Sequence, residues 1–229
     1  MRRKHVALSA CVLMSAIPVT WANGGGTMRM PEMSAPRVQS PQDQAKSAYN
    51  DGVHDVRKAD KYQTSSAEQS DAKKKDKAFR EAQEHYASAL KKFTQAVQLD
   101  PNMYEAWNYV GYTNRHLGNY DVALTAYERA LTLHPGYPDA LEYRGEAFLG
   151  LNRVSDAEQA YLDLFASNRA LADKLLTAMK GWVTSQRAAP TGGTDATAVE
   201  ALDKWVQERA QIAGQTASLT RVGATSMWR

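Results

Sequence analysis

Cysteine occurs once in the 229 residues, as Cys11. If the chain is cut near Asn23, nothing remains to form a disulfide, a thiol nucleophile or a Cys-ligated zinc site. Packing alone must then hold the fold, without the bridges that small exported domains usually use. A surplus of one charge is missing too. The 28 Lys and Arg stand against 25 Asp and Glu, and Arg2, Arg3 and Lys4 account for the whole difference. The neutral remainder gives no electrostatic reason for general nucleic-acid binding. The five histidines (His5, His54, His85, His116 and His134) are scattered, without the close spacing of a metal site. His116 and His134, near helix ends, read as surface residues. A Gly-rich phosphate loop, a G-x-S-x-G elbow and an H-E-x-x-H pair are all absent. These absences point to a protein that is no enzyme and carries no cofactor or metal. Apolar residues at 43% and charged residues at 23% are ordinary for a globular chain, long enough for one large domain or two small ones.

Long apolar runs are confined to the N-terminus. Arg2-Arg3-Lys4 precedes an apolar stretch from Val6 to Ile17 and a small-x-small end at Thr20-Trp21-Ala22, the layout of a secretory signal over 1–22. Two alternatives stay open. A membrane anchor would have only the 17 residues from Val6 to Ala22, interrupted by Ser9, Ser15 and Pro18, where a span needs about 20. A lipoprotein signal would end at Cys11, with most of the apolar stretch on the wrong side of it. After cleavage no membrane span would remain. Residues 23–41, with Pro31, Pro36 and Pro41 and no periodicity, read as a disordered linker.

The middle of the chain repeats. A shift of 34 superimposes Ala106 on Ala140, Tyr109 on Tyr143, Gly111 on Gly145, Ala123 on Ala157 and Tyr127 on Tyr161. The same shift upstream places Ala123 on Ala89, Tyr127 on Phe93, Ala130 on Ala96, Leu133 on Leu99 and Pro135 on Pro101. Within a unit the apolar spacing is helical, first through Trp107, Val110, Gly111 and Asn114, then through Tyr120, Ala123, Tyr127 and Ala130. Leu117-Gly118-Asn119 makes the turn between them, and Pro135 and Pro138 separate one pair from the next. A single pair leaves apolar faces bare on both sides, so the units must stack.

Tyr104 to Tyr137 resembles the tetratricopeptide repeat, with Trp107, Val110, Gly111, Ala123, Tyr127, Ala130 and Pro135 at the family's signature positions. Asn114 departs from it, at a place that is usually aromatic. Residues 138–168 look like a second copy, carrying Leu141, Gly145, Phe148, Ala157 and Tyr161, without the closing proline. The resemblance covers about 120 residues. It implies an all-α, right-handed solenoid of about three helix-turn-helix repeats, with an extended first hairpin and C-terminal capping helices.

The first repeat, 42–100, is irregular. Its second helix shows in Phe79, Ala82, Tyr86, Ala89, Phe93, Ala96 and Val97, but the expected first helix falls on Lys73-Lys74-Lys75-Asp76-Lys77, which cannot face a core. Ala45, Ala48, Tyr49, Gly52, Val53, Val56 and Ala59 keep a helical spacing upstream. The surplus length predicts two helices longer by about 12 residues each, or ~18 Å, with a polar tip over 63–76; a disordered insertion is the alternative. After the two repeats of 101–168 the spacing predicts a capping helix over 169–187, with Leu171, Leu175, Met179, Trp182 and Val183. A linker over 188–195 and a last helix over 196–214 follow, the latter opened by a Thr197-x-x-Glu200 capping box. A flexible tail occupies 215–229.

In arrays that this one resembles, the first helix of each repeat lines a concave groove. The positions turned inward are Glu105, Asn108, Tyr109, Tyr112 and Arg115 or His116, then Asp139, Glu142, Tyr143 and Glu146. Lys46, Tyr49, Asn50 and Val53 would extend them. Tyr109 and Tyr143 would form a ladder with Tyr112 beside it, and tyrosine suits protein recognition. Thr94–Ser167 holds four arginines against ten acids, a net −6. Such a groove favours a basic or neutral peptide. Family members that bind chaperone C-termini through a carboxylate clamp need Lys and Asn where Tyr109, Tyr143 and Asp139 stand, so the resemblance excludes that activity here. The expectation is an exported, periplasmic adaptor or assembly scaffold for a partner polypeptide. Open alternatives are a structural subunit, self-associating through the hairpin, Trp182 and Trp205, and an accessory protein binding a small ligand.

Overall fold

The computed structural model describes residues 39–190 and 194–226. The segment read as an export signal, with Cys11, and most of the proline-bearing linker lie outside them. Every regular element among the described residues is an α-helix: α1 Pro41–Glu68, α2 Ala72–Leu99, α3 Tyr104–His116, α4 Tyr120–Leu133, α5 Pro138–Gly150, α6 Val154–Ser167, α7 Arg169–Ala188 and α8 Ala196–Ser226. None of them is long and apolar enough to cross a membrane.

The helices begin where short polar side chains occupy the first free backbone N–H groups. Ser40 accepts from the Asp43 N–H, Asp71 from Lys74 and Asn168 from Leu171. Proline stands at the start of α1 and α5, where its missing N–H costs nothing. Two inter-helix turns one period apart share a left-handed residue, Gly118 at φ 82° and Asn152 at φ 58°. Glycine is unstrained there, and asparagine is among the few side chains that tolerate it.

Each first helix packs against its own second helix, α3 on α4 and α5 on α6. Successive pairs then stack, α2 on α3, α4 on α5, and α7 on both α5 and α6. Small residues at the crossings permit this. Gly111 lies so close to the Tyr127 ring that a methyl group could not fit between them, and Ala106, Ala123, Ala130, Ala140 and Ala157 are fully buried. The result is a helical solenoid whose first helices α1, α3, α5 and α7 follow one another along one side.

α1 and α2 have 28 residues each, against 13 and 14 for α3 and α4. They form one continuous helical hairpin closed by residues 69–71, so the insertion is helical. Phe79 does not join its apolar face. It is 50% exposed, because Ala78 takes the inward place in the run Ala78, Ala82, Tyr86, Ala89, Phe93, Ala96, and a residue one step further lies about 100° round the helix.

Two further differences concern the C-terminal end. Asp195, rather than Thr197, caps α8, with its carboxylate accepting from the Thr197 N–H at 3.0 Å and from the hydroxyl. Glu200 is drawn away from the cap by Arg187 of α7, which donates to it at 3.0 and 2.7 Å and reaches Asp203 at 2.8 Å. α8 also continues past Gln215 to Ser226.

Candidate partner-binding groove

Four tyrosines from three first helices run in edge-to-face contact along the α1–α3–α5 side. Tyr49 meets Tyr109 at 5.7 Å, Tyr109 meets Tyr112 at 5.9 Å, and Tyr112 meets Tyr143 at 5.0 Å between ring centroids. Tyr109 reaches Tyr143 through Tyr112, because residues three apart on α3 are neighbours on the helix surface. The row is backed from below. Tyr109 stacks on Phe93 at 4.8 Å, and Tyr143 lies 6.3 Å from Tyr127. All four tyrosines are half-buried. Burial raises the pKa of every one of these hydroxyls.

The row is held by a carboxylate that sequence reasoning did not single out. Asp60 of α1 accepts from Tyr86 Oη at 2.7 Å and from Tyr112 Oη at 2.8 Å, both on Oδ1. The signal was present, since Asp60 follows Val56 by one helical turn on the buried stripe of α1. Deeper in the hairpin, Asp55 accepts from Ser88 at 2.6 Å and Lys92 at 2.8 Å. Burial works against its charge, but Lys92 and Ser88 outweigh it and hold the carboxyl below its ordinary range.

Arg115 and His116 end α3 beside the tyrosines. The Arg115 guanidinium lies 5.3 Å from the Tyr112 ring centre and 5.6 Å from that of Tyr143, and it pairs with Glu146 at 2.5 Å. Glu146 is therefore a neutralised member of the acidic set. His116 is no loose surface residue. It stacks on Tyr86 at 4.4 Å and touches Tyr112 at 4.5 Å. Burial and the adjacent Arg115 push its pKa down to about 3, so the ring is neutral at physiological pH. His134 does sit at the surface, against Tyr104.

Glu105 and Asp139, one period apart in the first turns of α3 and α5, are half-buried, and Asp139 accepts from Tyr137 Oη at 3.2 Å. Asn108 and Glu142, also one period apart, depart from the expectation of an open lining. Asn108 is 2% exposed and Glu142 1%. Both stand on helices that pack against the first helix of the next unit, α3 on α5 and α5 on α7. The inward position is thus covered from the side rather than left open. Asn108 Oδ1 and both Glu142 carboxylate oxygens have no hydrogen-bond donor. Lys174 of α7 comes within 3.6 Å of Glu142 Oε2 as a loose ion pair. Burial, reinforced by Glu146 one turn on, pushes the Glu142 carboxyl up to about 8.

Two cavities open along this side. One, of about 310 Å³, lies among Gln63 of the hairpin, Arg115, His116, Glu146 and Trp182. The other, of about 490 Å³, lies between α5 and α7 around Glu142, Asp173 and Lys174. Among the described residues no cluster of His, Cys, Asp and Glu has the geometry to hold a metal ion.

A family model described as tetratricopeptide repeat matches residues 79–138 and 115–172. That stretch therefore carries tetratricopeptide repeats. The chain is also similar to an Hsp70-Hsp90 organizing protein of Triticum aestivum, with 33% identity over 119 residues. The match takes in 48% of this chain and 20% of that protein, so the chain spans about a fifth of the relative's length. Together these point to protein-protein interaction.

Proposed function

We propose that this protein is a non-catalytic adaptor or assembly scaffold that captures a basic or neutral segment of a partner polypeptide along the α1–α3–α5–α7 side. The observation that carries this reading is the continuous row Tyr49–Tyr109–Tyr112–Tyr143, flanked by Glu105, Asp139 and Asp173. A tyrosine row offers wide apolar contact at small entropic cost, and the acids select the charge of what lies on it. The same acids disfavour an acidic peptide. The relative's name refers to Hsp70 and Hsp90; for this chain we propose a partner selected by a basic or neutral segment. The signal-like segment at 1–22 supports an exported, periplasmic setting.

Self-association has less support. Trp205 packs edge-on against Tyr161 at 5.2 Å within the protein, and Trp182 is half-buried in the α7 packing. Light scattering on the mature chain decides it, a stable oligomer favouring the subunit reading. Affinity capture from an envelope fraction tests the adaptor reading. Tyr109→Ala combined with Tyr143→Ala should weaken capture by about 2 kcal/mol while helicity is preserved. Unchanged capture by that variant would remove the tyrosine row from consideration.

A further inference from the structure

The 490 Å³ cavity between α5 and α7 is built unlike the rest of the tyrosine-lined side. Its most deeply buried lining residue is Glu142, 1% exposed and without a donor on either carboxylate oxygen. A buried carboxylate normally collects two or three donors, since an unmatched one loses its hydration for nothing. Among the described residues the one ion pair that Glu142 makes is with the Lys174 ammonium, at 3.6 Å, beyond hydrogen-bond distance. Glu146, beside it, is occupied by Arg115. Asp173, exposed at the rim, adds a further negative charge. The walls at Ala170 and Ala178 are short, which is why the space exists. Lys174 is 60% exposed along its side chain; among the described residues its one ion pair is with Glu142, and its ammonium also lies 5.8 Å from the Tyr143 ring centre.

We propose that this cavity is the subsite for one cationic side chain, a lysine or an arginine, of the polypeptide held along the tyrosine row, and that Lys174 stands in for that group until it arrives. The proposal rests on the adaptor reading and specifies its charge recognition. The incoming cation donates to Glu142 and is held by Asp173 at the rim, while Lys174 moves out to solvent. Only a donor-rich cation suits the site. An anion meets the Asp173 carboxylate and the acceptor oxygens of Glu142, and an apolar side chain leaves Glu142 as unmatched as before. The raised Glu142 carboxyl fits a group short of positive charge, with Arg115 from α3 committed to Glu146 and only Lys174 supplied by α7.

The test uses the full chain and a decapeptide library with one position at a time fixed as Lys, Arg, norleucine or Glu. At one position the Lys and Arg pools should be captured about tenfold better than norleucine, the size of one charge-assisted pair. Glu142→Gln should bring the ratio below about threefold, and Asp173→Asn, at the rim where folding is not at stake, should lower it less. Lys174→Met, which removes the internal competitor, should raise it; a purely structural Glu142 would move none of these ratios. Equal capture of Lys and norleucine pools, or a basic preference untouched by Glu142→Gln, overturns the subsite. If Tyr109→Ala with Tyr143→Ala abolishes capture of every pool while Glu142→Gln leaves the basic preference intact, the adaptor reading stands and the subsite falls. Capture of no pool by the unaltered chain overturns both.

Discussion

Asp60 and Glu142 are two carboxylates on the same side of one solenoid, and they are treated in opposite ways. Asp60 accepts two tyrosine hydroxyls, from α2 and α3, and locks the first pair of helices to the second. Glu142 is the more deeply buried and accepts nothing. In the N-terminal half of the side Asp60 is matched from within the chain, although the Asn108 amide oxygen on α3 is not. The C-terminal half is left open, with one exposed lysine to balance it. A protein that only needed to stack its helices would gain by closing both. The contrast separates the part that builds the face from the part that can still bind something.

Removing the closed carboxylate should cost the most. Asp60→Ala leaves the hydroxyls of Tyr86 and Tyr112 without their acceptor, and urea unfolding should show a loss of about 3 kcal/mol. A loss under about 1 kcal/mol would mean that Asp60 does not hold the row. The open carboxylate should behave in reverse. Its pKa is raised in the folded chain, so its contribution is full below the ordinary carboxyl range and is lost as pH rises towards about 8. The charged and titratable groups around it are Tyr143 and Glu146 on its own helix, Arg115 from α3, and Asp173 and Lys174 from α7. Glu142→Gln, always neutral, should cancel that decline and be the more stable form at pH 8 by about 2 kcal/mol. Parallel stability curves for the two proteins from pH 5 to pH 8 would refute this.

His116 sharpens the comparison from the acid side with a smaller effect. Its pKa is depressed, so its contribution is present above about 6.5 and fades as pH falls towards about 3. His116→Phe keeps the stack on Tyr86 and removes the titration. It should unfold about half a pH unit lower than the unaltered chain, with stability at pH 7 within about 1 kcal/mol of it. An unshifted acid midpoint would show that the buried ring contributes nothing to acid lability.

The stacked two-helix architecture was legible because apolar period and small residues at crossings record burial directly, as Gly111 beside Tyr127 does. Even the chain reversal at Gly118 shows, since glycine there relieves a left-handed backbone. What stayed illegible was the matching of polar groups. Asp60 and Glu142 look alike as letters, and only the position of Tyr86, Tyr112 and Lys174 in space tells them apart. Thr197-x-x-Glu200 misled for a similar reason, since a capping box is local while Arg187 reaches Glu200 from another helix. Phe79 shows the limit of reading hydrophobicity by residue type, because a one-step change of register gave its inward place to Ala78. The Asn108 and Glu142 positions were read as open because the covering helix belongs to the next unit.

The Asp60 clasp also divides the long hairpin mechanically. On one side of it α1 and α2 are tied to α3. On the other, Gln83 still donates to the His116 carbonyl of α3 at 3.1 Å, but further out residues 71–77 are exposed throughout, and the hairpin's own contacts, such as Ser66 Oγ donating to the Lys75 carbonyl at 3.1 Å, hold it together. Amide hydrogens should therefore exchange in a gradient, slowest at the clasp and fastest at the far end, with α1 and α2 fraying as a pair without loosening the stack beneath them.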